Sequence, residues 1–442
     1  MHVTIVGGGI AGLSTYLHLR KYLPHPSTHT ITIYESHKPR STAPYSSSSL
    51  PISQQHNINL DTLSSSTALV GGGLGISPNG MRVLRDLDQD LHDKIVAQGF
   101  PAEKFVFKGA NGWTLGAQST SDKIVRGEGE KEEVCIASSR HGLWETIMRF
   151  VVEKYGIDVV RYAKVVGVER DVGRGINVKT VDKEGNEEVH EADLVIGADG
   201  VKSVVRKTLF GDDERYNPVY SGQSGVGGFY AAPIPANVAG NKAMVFTFGG
   251  NGFFGYSSGG PPDSKQLMWW STFETSSLPN TTCIDSQTIK SALFERHKHW
   301  KDPIVQEIVQ KADVESIYPT WALPKLPHWG ERGLVLVGDA AHAMDPTTGQ
   351  GASQALEDSL ILALLLAELV PATEIQTDEI TEIGKAIDVA IKLFHEIRAP
   401  RVDKIVERGK KMAGGKANVG VVAEYFMYCF LWLMINIPSF GE

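Results

Sequence analysis

The first residues with a recognisable chemical use form a glycine pattern near the start of the sequence. Gly7, Gly9 and Gly12 have the spacing Gly-x-Gly-x-x-Gly and lie between an apolar run, Val3 to Val6, and a helical pattern. In this setting the first glycine permits a tight turn, the second lets backbone N–H groups approach a pyrophosphate, and the third lets the helix pack on the strand. Glu35 ends a second apolar strand, where an acid accepts hydrogen bonds from an adenosine ribose. The pattern predicts a dinucleotide site and does not distinguish NAD from FAD.

Two later segments each end an apolar strand with an aspartate beside a glycine. Residues 193–200 lead to Asp199, and residues 334–339 lead to Asp339. Ligands of α/β sheets bind at the carboxyl ends of the strands, so both acids are candidate ligand contacts. A solvated turn is the alternative interpretation of Asp199. A glycine-containing turn at residues 346–351 then opens a long helical stretch, whose free N–H groups would favour negative charge.

The elements that must position these residues follow from hydrophobic periodicity. Residues 3–35 have the strand, helix, strand order of a βαβ unit. Residues 333–369 again have an apolar strand followed by a helical stretch. Between them, residues 216–321 alternate strands with Gly/Pro turns, which predicts an antiparallel sheet. A serine-rich stretch, Ser41 to Ser66, is predicted to be a long surface loop.

These patterns predict an α/β fold in which a Rossmann-like dinucleotide-binding domain is interrupted by a second domain. The predicted divisions are a first part of the binding domain, an antiparallel β-sheet substrate domain, a second part of the binding domain, and a C-terminal helical segment. Their residue ranges are 1–215, 216–325, 326–400 and 401–442.

Composition narrows the class of function. The chain has 442 residues and a formal net charge of -8, so it offers no basic field for nucleic acid, and small-molecule chemistry is expected. Cys135, Cys283 and Cys429 are too few and too scattered for a disulfide framework or a Cys-x-x-Cys site, and no metal site is predicted. An apolar strand at the N-terminus without a signal-like pattern predicts a cytoplasmic protein.

The C-terminal segment has a distinct composition. Residues 419–435 contain one charged residue, Glu424, and follow a basic run that includes Arg408 and Lys410. A membrane-spanning helix needs about 20 apolar residues, so a helix packed on the protein is favoured over a span. Contact with a membrane surface or with a partner remains an alternative.

The three motifs in this order, with Arg140-His141-Gly142-Leu143 between the first and the second, resemble the group A flavoprotein monooxygenases. This is the family of para-hydroxybenzoate and salicylate hydroxylases and of related epoxidases, and the resemblance is strongest to fungal members of secondary metabolism. It implies a tightly bound, non-covalent FAD and NADPH or NADH as a transient co-substrate. It also implies that O2 adds to the reduced flavin to give a hydroperoxide, which transfers one oxygen atom to an electron-rich carbon.

The resemblance also implies roles for particular residues. Glu35 should hold the adenosine ribose, Arg140 and Gly75 should line the cofactor, and Asp339 should bind the ribityl and pyrophosphate region. The Asp199 motif is associated in this family with both FAD and NAD(P)H, so no second dinucleotide domain is needed. His342 is expected to have a structural role. The residues expected to border the isoalloxazine lie in the turn after Asp339, and are Pro346, Gly349, Gln350, Gly351 and Ala352.

The substrate is expected between the flavin and the sheet domain. Aromatic residues of that domain are candidate pocket walls, although such a residue is more often part of an ordinary core, and they are Phe229, Tyr230, Trp270 and Trp321. By analogy with fungal relatives, Arg206 and Tyr230 are the predicted catalytic residues: Arg206 would orient an anionic or carbonyl oxygen and Tyr230 would hydrogen-bond to it. The alternative for Arg206 is an ion pair near its own turn.

Several functions remain open at this stage. Hydroxylation of an aromatic ring and epoxidation of an indole or isoprenoid-type alkene use the same reactive species. An FAD-dependent oxidase or dehydrogenase that inserts no oxygen is the main rival, and a flavin-binding scaffold without turnover is another. A flavin halogenase is disfavoured because Trp269-Trp270-Ser271 does not continue into the expected Trp-x-Trp-x-Ile-Pro pattern.

Overall fold

The computed structural model describes most of the chain. The described residues are 1–37, 72–122, 132–171, 175–275, 277–279, 285–314, 317–370, 379–413 and 419–437. The predicted loop at Ser41 to Ser66 and Cys283 lie outside them.

The described strands alternate with helices at both ends of the chain and follow one another directly in the middle. The strands are β1 (His2–Val6), β2 (Thr30–Tyr34), β3 (Gly73–Ile76), β4 (Phe100–Ala102), β5 (Lys104–Gly109), β6 (Thr114–Ser119), β7 (Cys135–Ser139), β8 (Val160–Arg161), β9 (Lys164–Asp171), β10 (Gly175–Val181), β11 (Glu187–Ala192), β12 (Leu194–Gly197), β13 (Val219–Ala231), β14 (Ala243–Gly249), β15 (Gly252–Ser258), β16 (Gln266–Glu274), β17 (Tyr318–Ala322), β18 (Gly330–Glu331) and β19 (Leu334–Leu336). The α-helices are α1 (Ile10–Tyr22), α2 (Pro78–Leu87), α3 (Gln89–Gln98), α4 (Arg140–Tyr155), α5 (Val204–Phe210), α6 (Ala236–Ala239), α7 (Ser286–His297), α8 (Pro303–Lys311), α9 (Asp339–His342), α10 (Gly351–Leu369), α11 (Glu379–Ala413) and α12 (Val421–Asn436).

A six-stranded, mainly parallel sheet forms the centre of the binding domain, in the order β18-β19-β12-β1-β2-β8. β1 pairs in parallel with both β12 and β2, and β12 pairs in parallel with β19. The interior strands are apolar along almost their whole length because helices cover them, as α1 and α10 do. Since β1, β12 and β19 are parallel neighbours, the turns that follow them leave the sheet at the same edge.

A seven-stranded sheet in the order β17-β13-β16-β15-β14-β5-β6 forms the second layer. Its pairs are antiparallel except for β14 with β5, where Met244 lies opposite Phe105 in parallel register. Helices α7 and α8 pack together and contribute Leu293, Val305 and Ile308 to the core of this region. Two three-stranded sheets, β11-β10-β9 and β3-β7-β4, complete the described topology.

Two described elements cross the predicted domain boundaries, and the division itself stays a prediction. Strands β5 and β6 lie within the predicted first part, 1–215, but they complete the large sheet, because the edge of β14 offers backbone partners to β5, and β5 offers them to β6. The predicted boundary between residues 400 and 401 falls inside one helix, α11, which continues through Pro400. The large sheet is therefore built from two separate segments of the sequence.

The apolar C-terminal segment forms helix α12, which packs against β6 and the neighbouring strands of the large sheet. Among the residues that the structure describes, no helix is both long and apolar enough to cross a bilayer.

Candidate functional site

The first glycine turn packs tightly against the protein at Gly7 and Gly12 and has empty space beside Gly9. Gly7 has φ +103°, and a Cβ at this residue would lie 2.4 Å from the carbonyl oxygen of Ala198. A Cβ at Gly12 would lie 1.9 Å from the oxygen of Gly7, so both positions need glycine for close packing. At Gly9, by contrast, no atom lies within 4 Å of a Cβ position, and no side chain caps α1 there. The open side and the free N–H groups of the helix start fit an incoming pyrophosphate.

Glu35 lies directly beside this turn at the end of β2. Its Oε2 accepts a hydrogen bond of 2.8 Å from the N–H of Gly8, and its Oε1 accepts one of 2.9 Å from the N–H of His37. The residue is buried. A carboxylate has about four lone-pair directions, so these two bonds orient the group and leave acceptor capacity for a ribose hydroxyl.

Helix α4 brings a second element to the same turn. Arg140 is its first residue, its backbone N–H donates to the oxygen of Gly72, and its side chain is exposed. One turn further along, the Nε1–H of the buried Trp144 donates to the oxygen of Gly8 over 2.8 Å. Residues four apart share a helix face, so this contact holds Arg140 on the side of the glycine turn. Gly75, on the neighbouring β3, pairs with Ala137.

Asp199 lies at the second turn, and its two carboxylate oxygens differ in their hydrogen bonding. Its Oδ2 accepts from the N–H of Val204 at 2.7 Å and thereby caps α5. Its Oδ1 is buried and has no hydrogen-bond partner among the described residues. Burial raises the pKa of this carboxyl above its ordinary value, and the bonds from Ser203 and Val204 lower it in part. A buried acceptor without a partner fits a donor supplied by a bound cofactor.

Arg206 joins the second turn to the third. Its side chain is buried, and its guanidinium donates to the oxygen of Ala340 at 3.0 Å and to the oxygen of Val201. Burial lowers the pKa of Arg206, and the charge of Asp199 raises it in part. The guanidinium of Arg206 thus binds two backbone carbonyls and links the two turns. That Arg206 orients a substrate oxygen stays a prediction.

The third turn presents Asp339 to solvent. Gly338 precedes it with φ +59°, and a Cβ there would lie 3.0 Å from the Cβ of Ala11 in α1. Asp339 begins α9, its side chain is exposed, and no described residue donates a hydrogen bond to its carboxylate. The turn thus packs against the helix of the first motif and leaves one acid available to a ligand.

The segment expected to border the flavin ring begins with a 3-10 turn, Pro346–Thr348, followed by Gly349 at φ +58°. Gln350 donates from Nε2 to the hydroxyl of Ser77 at 2.9 Å, which fixes the turn against the start of α2. At Gly349 and Gly351 nothing lies within 4 Å of a Cβ position. Ala352 follows in the first turn of α10, which has no side-chain cap. Open glycines beside free N–H groups fit a planar, electron-accepting ring.

A buried network of charges behind the third turn was not predicted from the sequence. Asp358 in α10 accepts from the N–H of Gly338 at 2.9 Å, from Nε2 of His342 at 2.5 Å, and from Nε of Arg398 at 2.8 Å. The charges of His342 and Arg398 outweigh the effect of burial and hold the pKa of Asp358 at about 2. His342 therefore serves structure, as expected. In the sequence, the feature that could have indicated this network is an acid within the apolar stretch after Gly351.

The large sheet faces the binding domain with one of its two surfaces. Phe229 pairs with Met268, and a Cβ at Gly73 in β3 would lie 1.8 Å from the Sδ of Met268. Because side chains alternate along a strand, Phe229, Met268 and Trp270 lie on this surface. We call it the substrate face, and its further members on β14 are Met244 and Phe246. The centre of this face is apolar or glycine, at Gly227, Phe229, Met268 and Trp270, whereas the polar members Gln223, Gln266, Thr272 and Glu274 lie towards the strand ends.

Tyr230 lies on the opposite surface of the sheet. It pairs with Leu267, and its hydroxyl lies 3.4 Å from Oε1 of Glu307 in α8. Tyr230 lies on the other surface because neighbouring residues of a strand point to opposite faces, and its contact with a substrate stays a prediction. Trp321 packs edge to face against Tyr220 at the β17 edge, with ring centroids 6.1 Å apart.

Three polar turns at one edge of a parallel sheet, with an apolar sheet surface nearby, define a dinucleotide-binding protein. The chain belongs to the family described as FAD binding domain, whose model matches residues 57–374. It is a flavoprotein of the group A monooxygenase family, and FAD is its cofactor.

Individual relatives support this placement. The FAD-dependent monooxygenase ptmM of Penicillium ochrochloron is 26% identical over 96% of this chain and 91% of that protein. The chloroplastic zeaxanthin epoxidase of Spinacia oleracea is 26% identical over 76% of this chain and 46% of that protein, so the chain spans about half the length of that relative. Among solved structures, Klebsiella pneumoniae HpxO complexed with FAD and uric acid has a TM-score of 0.71 at 18% identity, covering 100% of this chain and 95% of HpxO. That likeness concerns the fold.

Proposed function

We propose that this protein is an NAD(P)H-dependent FAD monooxygenase that inserts one atom of O2 into an apolar organic molecule. The overall reaction consumes NAD(P)H, a proton, O2 and the substrate, and it yields NAD(P)+, water and the oxygenated product. The observation that carries the proposal is the meeting of the three cofactor turns at one edge of the parallel sheet, near an apolar surface of a second sheet.

The chain's own residues would hold the cofactor from three sides. Gly9 and the start of α1 would receive the pyrophosphate, Glu35 the adenosine ribose, and Asp339 the ribityl and pyrophosphate region. This assignment is supported by the open space at Gly9, the exposed carboxylate of Asp339 and the partnerless Oδ1 of Asp199. Bound FAD supplies the redox chemistry, since it accepts two electrons from a pyridine nucleotide and reacts with O2.

The protein's other task would be to exclude water from the reacting centre. An apolar wall disfavours ordered water and binds apolar groups through the area that it buries. Phe229, Met268 and Trp270 would form part of that wall, while the free N–H groups at Gly351 and Ala352 would stabilise negative charge on the reduced ring. We propose a neutral aromatic, indole or isoprenoid-type substrate on this basis, hydroxylated or epoxidised.

The rival function is an FAD-dependent oxidase or dehydrogenase in which the substrate itself reduces the flavin. Both functions use the same three turns, so the turns do not discriminate between them. A monooxygenase draws two electrons from NAD(P)H and two from the substrate, which keeps one atom of O2 while the other atom leaves as water, whereas in an oxidase or dehydrogenase the substrate alone reduces the flavin.

The test is a coupled measurement on the purified holoprotein. NADPH and NADH oxidation, O2 uptake and peroxide release are followed together while aromatic, indole and isoprenoid compounds are screened, and products are analysed after reaction in 18O2. We expect one compound class to accelerate NAD(P)H oxidation and to gain one labelled oxygen atom. Flavin reduction by a compound in the absence of NAD(P)H, with no label in the product, would establish the oxidase or dehydrogenase instead.

A further inference from the structure

Helix α12 is covered by the protein on one side only. Tyr428 is buried in a cluster with Leu115, Phe248 and Phe253. Its hydroxyl accepts from the N–H of Ala110 at 3.0 Å and lies 2.9 Å from the oxygen of Phe248. These contacts fix the helix along the surface of the large sheet. A helix that is apolar all round normally lies in a core, so the uncovered side of α12 requires an explanation.

The uncovered side presents large apolar side chains without a charged group. Val422 is 72% exposed, Phe426 73% and Phe430 55%, each one helical turn from the next. Trp113, in the turn between β5 and β6, adjoins them through an edge-to-face contact with Tyr425 at 5.5 Å. We call this surface the outer face, and its members are Trp113, Val421, Val422, Tyr425, Phe426, Phe430 and Trp432. A contiguous apolar surface of this kind marks an interaction site.

One basic residue adjoins the outer face, and two more precede α12 in the chain. Glu424 is the only charged residue of α12, and its carboxylate turns inward to the hydroxyl of Tyr428. Lys301 is exposed next to the Trp113 turn, where its backbone N–H donates to the oxygen of Ala110 at 2.8 Å. Arg408 and Lys410 are exposed near the end of α11, the helix that precedes α12 in the chain.

We propose that the outer face binds the surface of an anionic lipid bilayer, with α12 lying in the plane of the headgroups. Tryptophan and tyrosine favour the boundary between headgroups and acyl chains, where valine and phenylalanine side chains enter the apolar layer. Lys301, which is exposed beside the Trp113 turn, would attract anionic headgroups. The helix has 16 residues and is therefore about 24 Å long. Because Tyr428 pins its inner side to the sheet, it lies on a bilayer rather than across it.

This orientation also brings the bilayer close to the substrate face. Phe246 and Trp270 pack against the same cluster that holds Tyr428. A neutral apolar substrate dissolved in the membrane would thus have a short path to the site. This last step rests on the proposed function, whereas binding of the outer face to lipid does not.

The experiment is sedimentation of the full-length holoprotein with two kinds of vesicle, phosphatidylcholine alone and phosphatidylcholine mixed with phosphatidylserine. The test variant is Val422→Ser/Phe426→Ser. The matched control is Ile157→Ser/Val189→Ser, which removes two exposed apolar side chains, 64% and 59% exposed, from the binding domain. FAD absorbance and the far-ultraviolet circular dichroism spectrum establish that each variant is folded. Size-exclusion chromatography without lipid reports the oligomeric state.

We expect the natural sequence and the control to bind the mixed vesicles and the test variant to bind at least about tenfold more weakly. Absence of binding by the natural sequence, or equal binding by the test variant, would overturn the proposal. A dimer that the test variant loses, without any vesicle binding, would overturn it as well and assign the outer face to a second copy of the chain. NAD(P)H oxidation is measured on the same variant. If the variant loses vesicle binding and keeps this oxidation, the lipid-binding result does not depend on the proposed function.

Discussion

The second and third turns of the binding domain have nearly the same local sequence and use their acids in opposite ways. Residues 194–199 and 334–339 both run from an apolar strand through a glycine to an aspartate. Asp199 turns back into the protein and caps α5, while Asp339 faces outward and the backbone before it is held by Asp358. The carboxylate of Asp199 therefore mainly stabilises its own turn. The carboxylate of Asp339 stays accessible to a ligand, because Asp358 holds the backbone of the third turn. A motif therefore predicts where an acid lies more securely than what the acid does.

The largest expected effect comes from removing the support of the third turn. Asp358→Ala would leave Arg398 and His342 buried without their shared partner, so we expect the free energy of unfolding to fall by about 3–5 kcal/mol. Chemical denaturation followed by tryptophan fluorescence measures this change. Glu382→Ala is the control, since Glu382 makes an exposed pair with Lys385 and should change the free energy by less than about 0.5 kcal/mol. Equal small changes in both variants would contradict the role given to Asp358.

Lowering the pH tests the support given by Asp358 without a substitution. The pKa of Asp358 is lowered from 3.8 to about 2, so its contribution is fully present above pH 3.8 and is lost as the pH falls from there towards 2. The loss should be on the order of 2 kcal/mol. Unfolding of the natural sequence and of Asp358→Asn, measured between pH 5 and pH 2, should give the steeper decline in the natural sequence. Parallel declines would show that other carboxylates account for the acid sensitivity.

Asp339→Ala should separate ligand binding from stability. The carboxylate is exposed and has no partner within the described part of the chain, so the free energy of unfolding of the apoprotein should change little. Loss of a charge-assisted hydrogen bond to the cofactor should weaken FAD binding by roughly 10- to 100-fold. Fluorescence titration of the apoprotein with FAD measures the dissociation constant, and Asp212→Ala is the control for loss of an exposed acid. Normal FAD affinity in Asp339→Ala would remove this residue from the cofactor site.

The smallest expected effect is at the second turn. Asp199→Ala removes the acceptor for the N–H of Val204 at the start of α5, while the N-cap residue Ser203 keeps its bond to Arg206, so the free energy of unfolding should fall by about 1 kcal/mol. Asp199→Asn keeps an acceptor for the N–H of Val204 and removes a carboxylate whose pKa burial raises, so it should be closer to the natural sequence at neutral pH. If alanine and asparagine had the same effect, the cap would not be what Asp199 contributes.

The two catalytic predictions and the domain boundaries show where sequence patterns stop being informative. Arg206 and Tyr230 were chosen by residue type, but burial against Ala340 and the alternation of β13 assign them to other contacts. Strand β5 has a strand pattern, yet its partner β14 lies more than a hundred residues away. Residue type and period are local properties, whereas the choice of a pairing edge or of a facing side chain depends on the whole chain.

By itself, the sequence determined the α/β class, the glycine turn at Gly7 to Gly12, the acids at Glu35, Asp199 and Asp339, and the apolar C-terminal helix. These follow from short-range rules: glycine at tight turns, apolar runs in covered strands, and acids at strand ends. Only the tertiary structure decided that Asp358 and Arg398 support the third turn from separate helices, and which surface of the large sheet faces the binding domain. It also decided that one side of α12 stays uncovered, because exposure is set by what packs nearby and not by how apolar a helix is.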